Sequence, residues 1–235
     1  ILSLSDKIDN IIGCYIADLK PTSSSDPYAL RRQSLGIIKM LVDGKLNVPF
    51  MALFEKCFDH FPKELTTKKD ELLKEIELFM LSRVKTVFLD EGFSKDEIEA
   101  ALANGCSDVY DAYCKVHALK EFRGSGNGFL KLFEVYKRAK GQLAGRHLKS
   151  FSKELLEEPA EKNLNQVVSA IEPELAICLS THDYRQAYDL IAKLQEPLSL
   201  FFEQVKVLAD DQNIMNNRLA LLANVFQLFD KLLDF

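Results

Sequence analysis

Hydrophobic residues recur at three- and four-residue steps along most of the chain. The pattern is clearest in one long segment of the first half and in the last segment. The repeating residues there are Leu72, Leu73, Ile76, Phe79, Met80, Val84, Val87 and Phe88, and Leu219, Leu222, Val225, Phe226, Phe229, Leu232 and Leu233. This spacing places apolar side chains on one face of an α-helix. Because no segment alternates apolar and polar residues as a strand does, the pattern predicts an all-α fold.

Capping and breaking residues divide this pattern into separate helices. Asp26-Pro27 has the form of an N-cap followed by proline at the first helical position, and Gly44 would end that helix. Gly92 would end the long helix, and Ser94 with Glu97 has the spacing of a capping box. The predicted helices are 4–19, 26–42, 68–92, 94–104, 108–121, 129–143, 159–179, 184–194, 198–209 and 216–235.

Charge is distributed unevenly over a chain whose net charge is −5. Residues 115–153 contain ten Lys or Arg and two acids, so this segment carries +8 and the remainder −13. Aromatic residues alternate with these cations, at Phe122, Phe129, Phe133, Tyr136 and Phe151. Unpaired RNA is usually bound by aromatic stacking with cations on the phosphates. The alternative is a solvated helix face whose aromatic residues belong to the core.

No motif in the sequence points to catalysis or to a metal site. His60, His117, His147 and His182 form no metal-binding pair, and the five cysteines form no CxxC. The glycine-rich stretch 124–128 lacks the lysine of a phosphate-binding loop. We therefore predict no catalytic residue, no metal and no cofactor, and favour a binding module. No apolar run is long enough for a membrane span, and the first residue, Ile1, suggests a fragment without a leader.

Three segments resemble the bacterial-type glycyl-tRNA synthetase beta subunit. Residues 20–41, KPTSSSDPYALRRQSLGIIKML, are similar to the family's KPTGxxDPFALRRxxLGIxRIL. Residues 157–164, EEPAEKNL, resemble EPAEKAL. Residues 183–235, which contain NRLALL and end in DF, resemble the end of the same subunit. The three matches keep the family's order.

The resemblance implies a helical bundle of the DALR anticodon-binding type over residues 21–235. Residues 4–13, LSDKIDNIIG, are similar to the end of the family's preceding HD-like domain, so residues 1–20 would be a short helix from that domain. The parent would be a cytoplasmic glycine–tRNA ligase of class II that uses ATP and magnesium. Its active site would lie in the alpha subunit, or in the alpha part of a fused chain, and not in this fragment.

The resemblance and the charge pattern together predict the residues that contact the anticodon region of glycine tRNA. They are the adjacent arginines Arg31 and Arg32, the cations Lys131, Lys137, Arg138, Lys140 and Arg146, and the polar pair Asn217 and Arg218. Lysines would give salt-sensitive affinity, whereas Asn and Arg would contact bases.

Two alternatives to this function stay open at the level of the sequence. The chain could be the corresponding domain of an arginyl-type synthetase, although EPAEK and DPxALRR favour the glycyl enzyme. It could also be a non-enzymatic helical module whose basic segment binds an acidic protein. A small HD-type hydrolase would need a histidine–aspartate metal set that the sequence lacks.

Overall fold

A computed structural model describes residues 1–62, 68–103, 105–124, 127–143 and 150–232, with the side chains of 127–130 left aside. Within these ranges the chain forms eleven α-helices and one short 3-10 turn, Lys153–Leu155, which confirms the predicted all-α class. The helices are α1 Leu2–Ile16, α2 Leu30–Asp43, α3 Phe50–Phe58, α4 Lys69–Asp90, α5 Lys95–Leu102, α6 Val109–Gly124, α7 Asn127–Leu143, α8 Pro159–Ser180, α9 Tyr184–Ala192, α10 Gln195–Gln204 and α11 Gln212–Asp230.

The helices divide into two compact units, Ile1–Val116 and His117–Phe235, with the boundary inside α6. In the first unit, α1 packs against α2, α3 and α4, and α4 also packs against α2, α3 and α5. In the second, α8 packs against α9, α10 and α11, while α7 packs against α9, α10 and α11. None of the helices in the described part is long and apolar enough to cross a membrane.

Helix α1 contributes Ile8, Ile11 and Ile12 to the core of the first unit. This burial explains why the amphipathic opening of the chain is ordered as a helix. The origin of residues 1–20 in a preceding domain, with the remainder 21–235 as a separate domain, stays a prediction.

Local signals at the end of α4 and the start of α5 behave as predicted. Gly92 adopts a left-handed φ of 82°. Its N–H donates to the Leu89 carbonyl at 2.9 Å, and the Phe93 N–H donates to the Phe88 carbonyl at 3.1 Å. These two bonds form a Schellman motif, in which Phe93 packs edge-on against Phe88. The predicted capping box between Ser94 and Glu97 is present at the start of α5.

The predicted start of α2 was wrong by four residues. Asp26 lies outside the helix, which begins at Leu30 after Ala29 adopts a left-handed φ of 54°. The Asp26 carboxylate still accepts from two of the first helical N–H groups, those of Leu30 at 2.8 Å and Arg31 at 3.0 Å. A carboxylate can therefore cap a helix from a preceding turn, which the Asp-Pro pattern did not reveal.

Helix α3 was not predicted. It begins after Pro49 and buries Phe50, Phe54 and Phe58 completely, one on each successive turn. The Phe50 N–H donates to the Ser107 carbonyl at 3.0 Å, so a distant loop satisfies the first helical donor. Helix α3 has nine residues, and an isolated helix of that length is barely stable in water. Most of its stability therefore comes from this packing and not from local propensity.

We predict that Gly92→Ala destabilises the first unit by about 1–2 kcal/mol, because an L-residue strains the left-handed backbone that ends α4. Gly13→Ala is the control. Gly13 lies inside α1, where an added Cβ would meet only the Phe61 ring at ordinary contact distance, 3.8 Å. Urea unfolding should show the first variant weakened and the second unchanged or more stable. Equal stability of the two variants would contradict the assigned motif.

Candidate nucleic-acid interface

Helix α7 is anchored to the second unit by one buried face. Leu132, Tyr136 and Ala139 lie on that face. The Tyr136 ring stacks on Phe226 of α11 with ring centroids 5.0 Å apart, and it packs obliquely on Phe229 at the same distance. This packing fixes the rotation of α7 about its axis and so determines which side chains face solvent.

Three predicted cations lie on the exposed side of α7. Lys131 and Arg138 are seven residues apart, and therefore lie two turns apart on one side of the helix; Lys137 is next to Arg138. Within the described part of the chain, none of the three forms an ion pair with an acidic side chain. Glu134 is the one acidic residue in α7, and it is also exposed. The three cations are thus brought together without being neutralised by a bonded partner.

Two of these cations lie over the faces of aromatic rings. The Lys137 ammonium lies 4.2 Å from the centre of the Phe133 ring. The Arg138 guanidinium carbon lies 4.5 Å from the centre of the Phe202 ring in α10. Both distances fall in the range of cation–π attraction, which restricts where the charged groups can lie. The charges are therefore held near the surface of α7 and α10.

Lys140 does not extend this surface. Lys140 is half-buried, and its ammonium lies 5.7 Å from the Tyr136 ring and 5.8 Å from the Phe226 ring. Arg146 falls outside the described residues. Because Lys140 points toward the helix packing, part of its role is to cover the aromatic rings beneath it.

Arg31 and Arg32 belong to the first unit. The Arg31 guanidinium donates to the Thr22 carbonyl and is half-buried, whereas Arg32 is exposed. The two adjacent arginines therefore face different surroundings, as neighbouring positions on a helix must.

Arg218, predicted to contact RNA, is buried inside the second unit. Its side chain is 8% exposed and pairs with Glu161 of α8, whose side chain is fully buried. A second guanidinium nitrogen donates to the Lys206 carbonyl at 3.0 Å. Glu161 also accepts N–H groups of Glu157 at 2.7 Å and Glu158 at 3.1 Å, closing a capping box at the start of α8. The pair therefore connects α8 to α11 in the interior.

Asn217, the neighbour of Arg218, is also buried. Its side-chain amide donates to the Ser152 carbonyl at 2.9 Å, and its side-chain oxygen accepts from the Ser152 N–H at 2.8 Å. These two bonds attach the segment before α8 to α11. Because the polar groups of Asn217 and Arg218 bond within the protein, neither side chain offers a free surface for bases, and we leave both out of the candidate interface.

The aromatic residues of the basic segment divide between core and surface. Tyr136 is 1% exposed and belongs to the core. Phe133 and Phe151 are half-buried, and Phe122 stacks on Tyr188 of α9. The side chain of Phe129 lies outside the described residues. Glu161 lies in the EPAEK segment, which was the one available signal for its role, whereas no pattern indicated the burial of Tyr188.

No group of three or more His, Cys, Asp or Glu residues in the described ranges is arranged to hold a metal ion. The five cysteines are free thiols. Burial, with the nearby charges of Asp108 and Asp111, raises the pKa of Cys106 to about 12. A thiol with so high a pKa stays protonated near neutral pH and is a poor nucleophile.

We predict that removing one partner of the buried pair, by Arg218→Met or Glu161→Gln, costs about 3–5 kcal/mol of unfolding free energy. Each change leaves buried polar groups without their partner. The double variant Glu161→Leu with Arg218→Met should lose much less than the sum, because no charge is then stranded. Asp210→Asn, which breaks the exposed pair Lys206–Asp210, is the control and should cost at most about 1 kcal/mol. Additive losses in urea unfolding would contradict the coupling.

Comparison with protein families identifies both parts of the chain. Residues 1–103 match the family model described as glycyl-tRNA synthetase beta subunit. Residues 132–235 match the DALR anticodon binding domain. The second match contains α8 to α11 and the part of α7 from residue 132 onward, which includes Lys137 and Arg138 but not Lys131.

Similar proteins are named glycine–tRNA ligase beta subunit. The relative in Syntrophomonas wolfei is 32% identical over the whole chain, which covers 34% of the relative. The relatives in Desulforamulus reducens and Citrifermentans bemidjiense are 34% and 35% identical, again over the whole chain and 34% of each relative. The chain thus spans about a third of the length of these relatives. Their names agree with the glycyl interpretation and not with the arginyl alternative. The chain is therefore similar to the glycyl-tRNA synthetase beta-subunit family over residues 1–103 and to the DALR anticodon-binding domain over residues 132–235.

Proposed function

We propose that this chain binds the anticodon region of glycine tRNA, and that the exposed cations of α7 are its main phosphate contacts. The observation that carries the proposal is the position of Lys131, Lys137 and Arg138. They lie on the exposed side of one helix, without bonded acidic partners in the described part of the chain. Lys137 and Arg138 lie in the region that matches the DALR domain, and Lys131 directly precedes it.

The three cations would make different contacts. An ammonium group is a compact charge that suits a phosphate, so Lys131 and Lys137 would contribute affinity that falls as salt rises. The Arg138 guanidinium, held over Phe202, offers a planar set of donors that can pair with a phosphate or a base edge. Positive charge concentrated on one helix also explains how a chain of net charge −5 could bind RNA.

The other predicted contacts have unequal support. Arg32 is exposed on α2 and stays in the proposal as a contact from the first unit, while Arg31 bonds to the Thr22 carbonyl. Lys140 is a weaker candidate because it covers Tyr136 and Phe226. Arg146 stays a prediction.

The parent protein would be a cytoplasmic subunit of a glycine–tRNA ligase. We propose that an alpha subunit, or an alpha part of the same chain, binds glycine, ATP and magnesium and carries out the ligation. The beta-subunit name of the relatives supports such a partner. This chain would then contribute tRNA binding and no catalytic group.

A helical module that binds an acidic protein is the remaining alternative. Both functions would use the same cations. In RNA binding each cation neutralises one backbone phosphate and releases its counterion, so log K falls with log salt at a slope set by the number of contacts. Binding of glycine tRNA at physiological salt, measured by filter binding, would favour the RNA function. Absence of tRNA binding by the 235-residue chain would contradict the proposal.

We predict that the triple variant Lys131→Gln, Lys137→Gln, Arg138→Gln weakens binding of glycine tRNA. Because three phosphate contacts are lost, the slope of log K against log salt should fall by about 2. The control is Lys162→Gln, Lys193→Gln, Lys231→Gln, which changes the net charge equally at exposed positions outside α7. The control should keep the original slope. Equal slopes for the two triple variants would place the contacts elsewhere.

A further inference from the structure

Helix α2 of the first unit carries positive charge outside the region that matches the DALR domain. Residues 27–42 contain Arg31, Arg32 and Lys39 but no acidic residue. The unit as a whole is acidic, because residues 1–116 contain 15 Lys or Arg and 19 Asp or Glu, a net charge of −4. The greater part of α2 is therefore a local concentration of positive charge on an acidic unit.

Arg32 and Lys39 lie on the same exposed face of α2. They are seven residues apart, so they lie two turns apart on one side of the helix, about 10.5 Å along its axis. Gly36 lies between them on this face and has no side chain to separate them. The surface of α2 is therefore low at its centre and positively charged on both sides.

Lys7 of α1 adds a third cation at the centre of this face. A Cβ at Gly36 would lie 3.1 Å from Lys7 Cε, so the end of the Lys7 side chain lies against the backbone of α2. The Lys7 ammonium donates to the Ser3 hydroxyl at 2.9 Å. The glycine thus allows a cation of α1 to approach the two cations of α2. Lys7, Arg32 and Lys39 are called the α1–α2 cluster below.

The α1–α2 cluster has no bonded acidic partner. Within the ranges that the structure describes, none of its three side chains forms an ion pair. Asp6 and Asp43 lie at its edges, next to Lys7 and one turn beyond Lys39, and Asp9 lies beside the Cys57 thiol of α3 at 3.8 Å. Like charges close together repel one another, and a bound polyanion would remove that repulsion.

We propose that the α1–α2 cluster binds the phosphate backbone of a base-paired stem of the tRNA, outside the anticodon arm. The inference rests on the function proposed above and deepens it by adding a second RNA contact, on the first unit. Each cation would neutralise one phosphate and release its counterion. The contact would add affinity without reading sequence, because phosphates are the same for every base.

The chemistry of the cluster favours phosphates over a protein surface. The centre of a protein interface is depleted of charged residues and enriched in aromatic ones. Here the centre is a glycine flanked by cations, and α2 contains no aromatic residue. Phosphates of a polyanion need no apolar anchor, so the cluster matches them better.

The same composition favours a double-stranded stem over an unpaired segment. Unpaired bases are bound by stacking on aromatic side chains, whereas double-stranded RNA is bound through its phosphates and 2′-hydroxyl groups. Tyr28, an exposed aromatic residue in the turn before α2, is the side chain on which an unpaired base would stack. Its substitution therefore separates the two kinds of RNA contact.

The triple variant Lys7→Gln, Arg32→Gln, Lys39→Gln tests the site with full-length glycine tRNA. Because three phosphate contacts are lost, the slope of log K against log salt should fall by about 2 to 3 in filter binding. Lys56→Gln, Lys85→Gln, Lys95→Gln is the matched control, which removes the same charge at exposed positions of the same unit. The control should keep the slope of the parent. A cluster variant whose slope equals that of the control overturns the proposal.

The isolated anticodon stem-loop of glycine tRNA locates the contact on the RNA. The cluster variant and the parent should bind this fragment within about twofold of each other, because it lacks the stem that the cluster contacts. A loss as large as that seen with full-length tRNA would place the cluster on the anticodon arm and contradict the assignment. Tyr28→Leu should leave the affinity for full-length tRNA within about twofold, whereas a loss of tenfold would indicate stacking on an unpaired base.

The two proposals fail in different ways. If the parent protein binds no glycine tRNA, the proposed function is wrong and the cluster loses its ligand. If the α7 triple variant weakens binding of both the full-length tRNA and the stem-loop, but the cluster variant binds both like the parent, only the stem contact is wrong.

Discussion

The buried ion pair between Glu161 and Arg218 is the interaction on which the second unit depends. Removing two charged side chains from water costs free energy, which is offset only when the groups pair and their remaining donors and acceptors form hydrogen bonds. Here the start of α8 supplies N–H groups to Glu161, and the Lys206 carbonyl accepts from Arg218. Asn217 attaches Ser152 beside this pair. The interior polar groups thus fix α8, α11 and the segment before α8, while the cations of α7 face solvent.

The fold was largely predictable because most of its helices carry their own signals. Gly92, Ser94 and Glu97 act over a few residues and behave as the sequence indicates. The failures have a common cause, which is contact over long separations. Helix α3 depends on packing of three phenylalanines and on the Ser107 carbonyl. No pattern within residues 50–58 could show that bond.

The candidate site was predictable in its charge but not in the direction of its side chains. Counting charges located the basic segment, yet only the packing of Tyr136 against α11 determines that Lys131, Lys137 and Arg138 face outward and that Lys140 does not. Asn217 and Arg218 resembled base-reading groups because their partners are 65 and 57 residues away in sequence.

Photocrosslinking of glycine tRNA to the chain, followed by mapping of the attached peptides, tests the central claim most directly. A tRNA with crosslinkable bases in its anticodon loop reports which helices lie within a few ångströms of the RNA. The account predicts crosslinks concentrated in α7. Crosslinks confined to the first unit would contradict it.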